Sequence, residues 1–201
     1  MGKTCVFCYR TKFEIRIVHE DERTYVVATL GQINEGYVLV IPKTHISCLG
    51  EMQQKDLGYF ANLVERVCNA EALEYKVRPI LFEHGIVGQS IPHAHLHIVP
   101  VSVDLTPFVS RDFPACTIED LCSFEDLGAA YAKNATPYLF WQTPEGTNRI
   151  CWNPPAPPQY LRIIIANALG RPKSADWRNA DPIVDLFLIK ENIRRLKPHL
   201  T

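Results

Sequence analysis

Apolar and polar residues alternate in short segments through the first half of the chain, a pattern typical of strands with one buried face. Turn-forming residues separate these segments. Five of them are found, at residues 13–19, 24–30, 36–42, 77–82 and 94–101. Between the third and the fourth, residues 52–75 repeat their apolar side chains at intervals of three and four. This spacing predicts an amphipathic helix that covers one side of an antiparallel sheet.

The second half of the chain has a less regular pattern, interrupted by a cluster of prolines between residues 154 and 158. After a predicted linker around Thr106 and Pro107, its periodicity predicts helices at residues 117–133, 160–169 and 181–196, and strands at 138–142 and 149–152. We therefore expect an α+β fold in two parts. Residues 1–105 would form an antiparallel sheet of about five strands with a long covering helix, and residues 106–201 an α/β extension packed on or beside it.

Composition places the chain among ordinary globular proteins. With 47% hydrophobic and 21% charged residues in a length of 201, it is neither disordered nor a coiled coil. The net charge is −1, yet residues 149–201 hold nine Lys and Arg against four Asp and Glu. Such a surplus could contact a polyanion but is more often a solvated surface. No apolar run suits a signal peptide or a membrane span, so we expect a cytoplasmic protein without membrane contact.

The strongest chemical signal is the placement of histidines at alternate positions, His93, His95 and His97. Side chains of a strand alternate between its faces, so these three imidazoles are predicted to share one exposed face. Seven histidines in the whole chain make this grouping improbable by chance. A metal site built from three histidines is the main alternative to a catalytic site, and a purely structural role is the remaining one.

Residues 93–99 read His-φ-His-φ-His-φ-φ, where φ is apolar, and in this they resemble the histidine triad (HIT) family. The resemblance extends over roughly residues 5–101 and implies a nucleotide-binding enzyme. It assigns His95 as the nucleophile that attacks the α-phosphorus and His97 as the neighbour that stabilises charge and helps protonate the leaving group. Gly88, Gln89 and Ser90, just before the triad, would then form a loop that donates hydrogen bonds to the phosphate.

Three further positions differ from the usual family pattern. Glu83 and Thr29 replace amide or carboxylate residues that contact the nucleotide in relatives, so both are candidate substrate-binding residues. Tyr37 replaces a histidine that is common in that region. His84, beside Glu83, either touches the substrate or is a solvated loop residue. These differences leave the nucleoside specificity open.

Cys5 and Cys8 form a Cys-x-x-Cys pair, which alone could be a redox motif, half of a zinc site or a pair of packing residues. Several HIT relatives complete a zinc site with such a pair, the histidine of the Pro-Lys-x-His turn and the first triad histidine. The resemblance therefore implies Cys5, Cys8, His45 and His93 as ligands. Two thiolates and two imidazoles leave no open position for a substrate, so this zinc would be structural.

Parts of the second half, above all residues 170–178, resemble the C-terminal region of CwfJ-like proteins, HIT relatives linked to RNA splicing. The leading hypothesis is a hydrolase that releases a nucleoside monophosphate from a phosphoramidate or phosphoanhydride through a nucleotidyl-His95 intermediate. A nucleotidyltransferase or phosphorylase with an acceptor other than water is the nearest alternative. A CwfJ-like, RNA-associated nucleotide-binding module is another. By the same resemblance a homodimer is expected.

Overall fold

A computed structural model describes residues 5–201 of the chain. Its centre is one sheet of eight strands, and every neighbouring pair in that sheet is antiparallel. The strands are β1 (Ile17–Glu20), β2 (Thr24–Ala28), β3 (Val38–Pro42), β4 (Ile80–Gly85), β5 (Leu96–Val99), β6 (Ile118–Leu121), β7 (Tyr138–Gln142) and β8 (Asn148–Trp152). Their order across the sheet is β1-β2-β3-β5-β4-β7-β8-β6.

Five α-helices surround the sheet. They are α1 (Gln54–Tyr75), α2 (Thr106–Asp112), α3 (Asp126–Asn134), α4 (Tyr160–Ala168) and α5 (Pro182–Leu200). The N-terminal segment, residues 5–16, instead contains three single 3-10 turns, Val6–Cys8, Arg10–Lys12 and Glu14–Arg16. None of the helices in the described part of the chain is both long enough and apolar enough to cross a membrane.

Both faces of the sheet are buried, which is why several strands read as nearly continuous apolar runs. In β3, for example, Val38 and Val40 pack into the core under α1, while Leu39 and Ile41 pack into a second core on the opposite face. Helices α1, α3 and α5 cover the first face. Helices α2 and α4 and the N-terminal segment cover the second. The strand carrying the triad is thus enclosed from both sides.

The expected count of about five strands is wrong, because the second half of the chain adds three strands to the same sheet. β7 pairs with β4 along four residue pairs, from Phe82 opposite Trp141 to Gly85 opposite Tyr138. This pairing joins residues more than 50 positions apart, which no local pattern reveals. The division at residue 105 into two folding units stays a prediction.

Three local predictions also differ from the structure. The predicted helix at 117–133 is the edge strand β6 followed by α3, because the backbone of residues 118–121 hydrogen-bonds to β8. Residues 13–16 form a 3-10 turn before β1 instead of a strand. The segment expected to be a linker at Thr106 forms α2.

Candidate active site

The triad lies at the beginning of β5. His93 precedes the strand, His95 is adjacent to it and His97 is within it. All three side chains are buried, with 0%, 6% and 5% of their surface exposed. The prediction that they share an exposed face is therefore wrong about exposure, because residues from both ends of the chain cover that face. The imidazoles of His95 and His97 instead line a cavity that opens to the surface.

His95 is held by the backbone of the triad itself. Its Nδ1–H donates to the carbonyl oxygen of His93 over 2.6 Å. In the neutral imidazole this leaves Nε2 with a free electron pair. The edge-to-face contact with Phe7, whose ring centroid lies 5.3 Å away, further fixes the ring. The imidazole of His95 thus has a fixed tautomer and orientation on the wall of the cavity.

His97 is oriented by two aromatic residues. The hydroxyl of Tyr37 bonds to Nδ1 of His97 over 2.7 Å, and the ring of Phe82 stacks on the imidazole at 4.3 Å between centroids. When the hydroxyl donates to Nδ1, the proton of neutral His97 is on Nε2. That nitrogen is buried and has no partner among the described residues. It is therefore available to donate a hydrogen bond to a bound substrate.

Burial keeps these histidines neutral. It lowers the pKa of His95 to about 4, against a smaller opposing effect of the hydrogen bond to His93. It lowers the pKa of His97 well below its usual value, and the positive charge of Arg162 contributes in the same direction. A neutral imidazole is the form that acts as a nucleophile. The cavity therefore holds His95 in the protonation state that a nucleophile requires at neutral pH.

The loop before the triad also lines the cavity, through Gly88, Gln89 and Ser90. Gly88 has φ of 71°, and a Cβ there would lie 2.8 Å from the carbonyl oxygen of Pro157. Its own carbonyl accepts a hydrogen bond from the backbone N–H of Gln159, at 2.9 Å. The predicted phosphate-binding loop thus lies directly against the second half of the chain.

Thr29, predicted to bind substrate, lines the same cavity, and Glu83 does not. Phe82 and His84 share the face of β4 toward His97, so Glu83 between them points to the opposite face. There its carboxyl group accepts hydrogen bonds from the backbone of Leu49 and the hydroxyl of Tyr138. His84, left open by the sequence, is 4% exposed and belongs to the cavity. Its Nε2 accepts a hydrogen bond from the backbone N–H of Leu161.

The sequence reasoning missed two arginines that line the cavity, Arg16 and Arg162. Both are almost fully buried, at 7% and 3% exposure. Gln159 and Trp177 join Arg162 as cavity residues from the second half of the chain. One signal for Arg162 was present, because it is the only charged residue in the otherwise apolar helix Tyr160–Ala168. A charge in a buried helix usually indicates a paired or functional group.

The four predicted metal ligands come together near the beginning of β5, the strand that carries the triad. The ligand atoms of Cys5, Cys8, His45 and His93 all lie within 4.8 Å of one another. Sulfur and Nδ1 are 3.4 Å apart for Cys5 and His93 and 3.2 Å apart for Cys8 and His45. Tetrahedral zinc, bonded at about 2.3 Å to sulfur and about 2.0 Å to nitrogen, separates such atoms by about 3.5 Å. The cluster fits this metal.

The second nitrogen of His93 supports the same interpretation. Its Nε2–H donates to the carbonyl oxygen of Pro42 over 2.8 Å, which leaves Nδ1 free to bind a metal. His93 therefore serves two purposes. Its side chain belongs to the four-residue cluster, and its carbonyl oxygen holds the tautomer of His95.

Comparison with known proteins identifies the family. The model of the HIT domain matches residues 10–103. An uncharacterized HIT-like protein of Methanocaldococcus jannaschii is 31% identical over 100 residues, which cover 48% of this chain and 78% of that protein. Adenosine 5'-monophosphoramidase hnt1 of Schizosaccharomyces pombe is 33% identical over 101 residues, which cover 48% of this chain and 74% of the enzyme. The chain belongs to the HIT family.

One relative extends beyond the HIT domain. Zinc finger CCCH domain-containing protein 64 of Arabidopsis thaliana is 26% identical over 198 residues, which cover 89% of this chain and 32% of that protein. Its match therefore includes most of the second half. The HIT domain itself ends at residue 103, and the predicted CwfJ-like character of the second half is not confirmed.

Proposed function

We propose that this protein is a nucleotide hydrolase that releases a nucleoside monophosphate from a phosphoramidate or phosphoanhydride through a covalent nucleotidyl-His95 intermediate. The observation that carries the proposal is the environment of His95, whose Nδ1 is bonded to the carbonyl of His93 while its Nε2 remains free at the cavity. The amidase activity named for the fission-yeast relative supports the same reaction class.

The residues divide the reaction into two displacements. Nε2 of His95 attacks the α-phosphorus, and the electron pair of the bond to the leaving group departs with that group. Water then attacks the same phosphorus and releases one proton to the solvent. The electron pair of the phosphorus–nitrogen bond returns to Nε2, so that His95 is regenerated as the monophosphate leaves. The Nε2–H of His97 and the hydroxyl of Ser90 donate hydrogen bonds to the phosphoryl oxygens as negative charge develops.

Zinc at the Cys5, Cys8, His45 and His93 cluster forms the second part of the proposal. Two thiolates and two imidazoles make a closed site, so the metal would stabilise the fold. It would link the N-terminal segment, which carries both cysteines, to the turn after β3 and to the residue that orients His95. A homodimer, RNA contact and a cytoplasmic location stay predictions.

Trapping the intermediate tests the enzymatic proposal. The protein is mixed with adenosine 5'-phosphoramidate or with diadenosine triphosphate, quenched in mild base and digested for mass spectrometry. We expect the mass of one AMP on the peptide that contains His95. His95→Ala should lose the adduct and reduce kcat by a factor on the order of 10⁴ or more, as removal of a nucleophile does.

His199→Ala is the matched control, because His199 lies far along the chain on α5 and bonds to the surface carboxylate of Glu74. It should retain both the adduct and full turnover. Absence of adduct and turnover with both substrates in the wild type would contradict the proposal and favour a binding module. Release of an AMP ester when an alcohol is added, or of ADP when phosphate is added, would identify a transferase that uses the same intermediate.

A further inference from the structure

The charge inside the triad cavity is unbalanced. Its lining contains the guanidinium groups of Arg16 and Arg162, neutral histidines and no carboxylate among the described residues. The carboxylate that interacts with both arginines from outside the lining is Asp185. Its Oδ1 accepts a hydrogen bond from the backbone N–H of Gly31 at 2.9 Å, and it makes no hydrogen bond to either guanidinium in the described structure. Positive charge therefore remains available to an anion that enters the cavity.

Arg162 is held rigidly, with part of its donor set unused. Its Nε donates to the carbonyl oxygen of Ala175 at 3.1 Å, and its Nη2 to that of Gly31 at 2.7 Å. The guanidinium carbon lies 5.1 Å from the centre of the Tyr37 ring. Within the described residues Nη1 makes no hydrogen bond, although the side chain is 3% exposed and lines the cavity. A preorganised donor of this kind suits an oxyanion.

The position of Arg162 relative to His97 indicates which part of a nucleotide it contacts. Tyr37 lies between them, since its ring faces the guanidinium and its hydroxyl bonds to His97. By the family resemblance His97 lies beside the α-phosphate and helps protonate the leaving group. Arg162, whose charge acts on both His95 and His97, therefore lies near the phosphate and the group that leaves it, and it enters this site from the second half of the chain.

We propose that Arg162 binds an anionic leaving group, so that the preferred substrate is a nucleoside monophosphate joined through an anhydride oxygen to a phosphate or sulfate. This inference rests on the proposed nucleotidyl-His95 reaction. When the phosphorus–oxygen bond breaks, the electron pair stays on an oxygen that forms a stable anion and needs no proton. A guanidinium stabilises that anion directly. An amine leaving group, in contrast, must take a proton as the phosphorus–nitrogen bond breaks.

The test compares substrates that share adenosine and differ in the leaving group. They are adenosine 5'-phosphosulfate, diadenosine triphosphate and adenosine 5'-phosphoramidate. We expect the wild type to prefer the first two. Arg162→Gln should lower kcat/KM for both anhydrides by about 100-fold, as loss of one partner of a buried charge pair does, and change the phosphoramidate less than threefold. Arg162→Lys should recover part of the loss, because it keeps the charge without the planar fork.

Arg171→Gln is the matched control. Arg171 also donates from the second half to the loop after β2, at the carbonyl of Ile33, but it is exposed and outside the cavity lining. Its removal should leave the substrate preference unchanged. A sulfate-specific or phosphate-specific loss in Arg162→Gln would identify which oxyanion the site prefers. Equal loss on anhydrides and phosphoramidate would overturn the proposal, since Arg162 would then serve the α-phosphate or the fold.

A binding measurement separates this inference from the proposed reaction. In the His95→Ala background no turnover occurs, and titration calorimetry can compare AMP with ADP. We expect ADP to bind at least tenfold more tightly, and Arg162→Gln to remove that difference. If the glutamine variant fails to fold, Arg162→Lys, which keeps the charge but loses the planar fork, should still reduce the difference between ADP and AMP. If the His95→Ala protein binds ADP and AMP with nearly equal affinity, the inference is contradicted even if His95 is the nucleophile.

Discussion

Two segments from opposite ends of the chain cover the same cavity, and they are attached in different ways. The N-terminal segment contributes Val6, Phe7 and Arg16 to the lining, and the second half contributes Gln159, Arg162 and Trp177. The first contains only single 3-10 turns, and its two cysteines lie against His45 and His93. The second continues the central sheet through β7 and adds hydrogen bonds to the loop after β2.

This difference shows how a segment that lines the cavity but adds no strand to the sheet can be held in place. Short 3-10 turns satisfy few backbone groups and bury little surface, so they are marginal by themselves. The proposed zinc would supply the missing constraint at a single point, the cluster of Cys5, Cys8, His45 and His93. The second half distributes its attachment over strand pairing, buried side chains and several hydrogen bonds. We therefore expect a single substitution at its attachment point to detach the whole N-terminal segment from the cavity. A single substitution in the second half should displace only part of the lining that it contributes.

The largest effect is expected from breaking the metal cluster. Cys8→Ala removes one of the four ligands, and the zinc content should fall from about one per chain to well below one. Because zinc binding is coupled to the folding of its site, we expect Tm to fall by about 10 °C, which corresponds to roughly 3 kcal/mol for a chain of this size. Metal analysis and calorimetry measure both quantities.

Cys122→Ala is the control for that experiment, because Cys122 is an exposed cysteine outside the cluster. It should retain the metal and the wild-type Tm. A wild-type protein that contains no zinc, or that keeps its Tm in strong chelator, would show that the N-terminal segment is held by packing of Phe7 and Phe13 alone.

An intermediate effect is expected at the contact between Gly31 and the second half. Gly31 has φ of 59°, and an added Cβ would meet the backbone and the Cβ of Trp177. Gly31→Ala should therefore displace Trp177 from the cavity lining and lower the free energy of unfolding by about 2 kcal/mol. Denaturant unfolding followed by tryptophan fluorescence measures the loss.

Gly170→Ala separates the cost of the left-handed backbone conformation from the cost of the steric clash with Trp177. Gly170 has a similar φ of 68°, but nothing lies within 4 Å of an added Cβ. It should cost only about 1 kcal/mol, the cost of the left-handed conformation for alanine. Equal losses of stability in the two variants would show that Trp177 moves away from the added methyl group without a cost in free energy.

The smallest effect is expected from the Glu83–Tyr138 hydrogen bond, which joins β4 to β7 on the sheet face opposite the cavity. Burial raises the pKa of Glu83 from 4.5 to about 8. The folded state therefore binds a proton that the unfolded state releases, and stability falls as pH rises between these two values. Glu83→Gln removes this dependence. From pH 5.5 to 6.5 we expect the wild type to lose about 1.4 kcal/mol more than the variant.

Urea unfolding at the two pH values provides the measurement, with Glu119→Gln, an exposed residue of β6, as control. Other buried groups, such as Glu71, contribute the same slope to all three proteins, so only the difference between proteins is interpreted. If Glu83→Gln follows the wild-type curve, Glu83 is ionised in the folded protein and its bond to Tyr138 is charged.

Much of the site could be predicted because its signals are local. Alternate spacing identified His95 and His97, and the family resemblance paired Cys5 and Cys8 with His45 and His93, which the structure brings together. Glu83 was a candidate through the family resemblance alone, because the predicted strand ended at residue 82 and its alternation did not extend to Glu83 and His84. In the structure β4 continues to Gly85, since β7 pairs with it, and the alternation then directs His84 to the cavity and Glu83 away from it.

The sequence by itself determined the family, the candidate nucleophile His95 and the long helix α1, because each depends on spacing within a few turns or residues. Only the tertiary structure decided that the triad is buried, that the second half extends the same sheet and that Arg162 reaches the cavity. Arg162 bonds to Gly31 across 131 positions of the chain. Contacts of that range depend on how the whole sheet closes, and no local periodicity contains them.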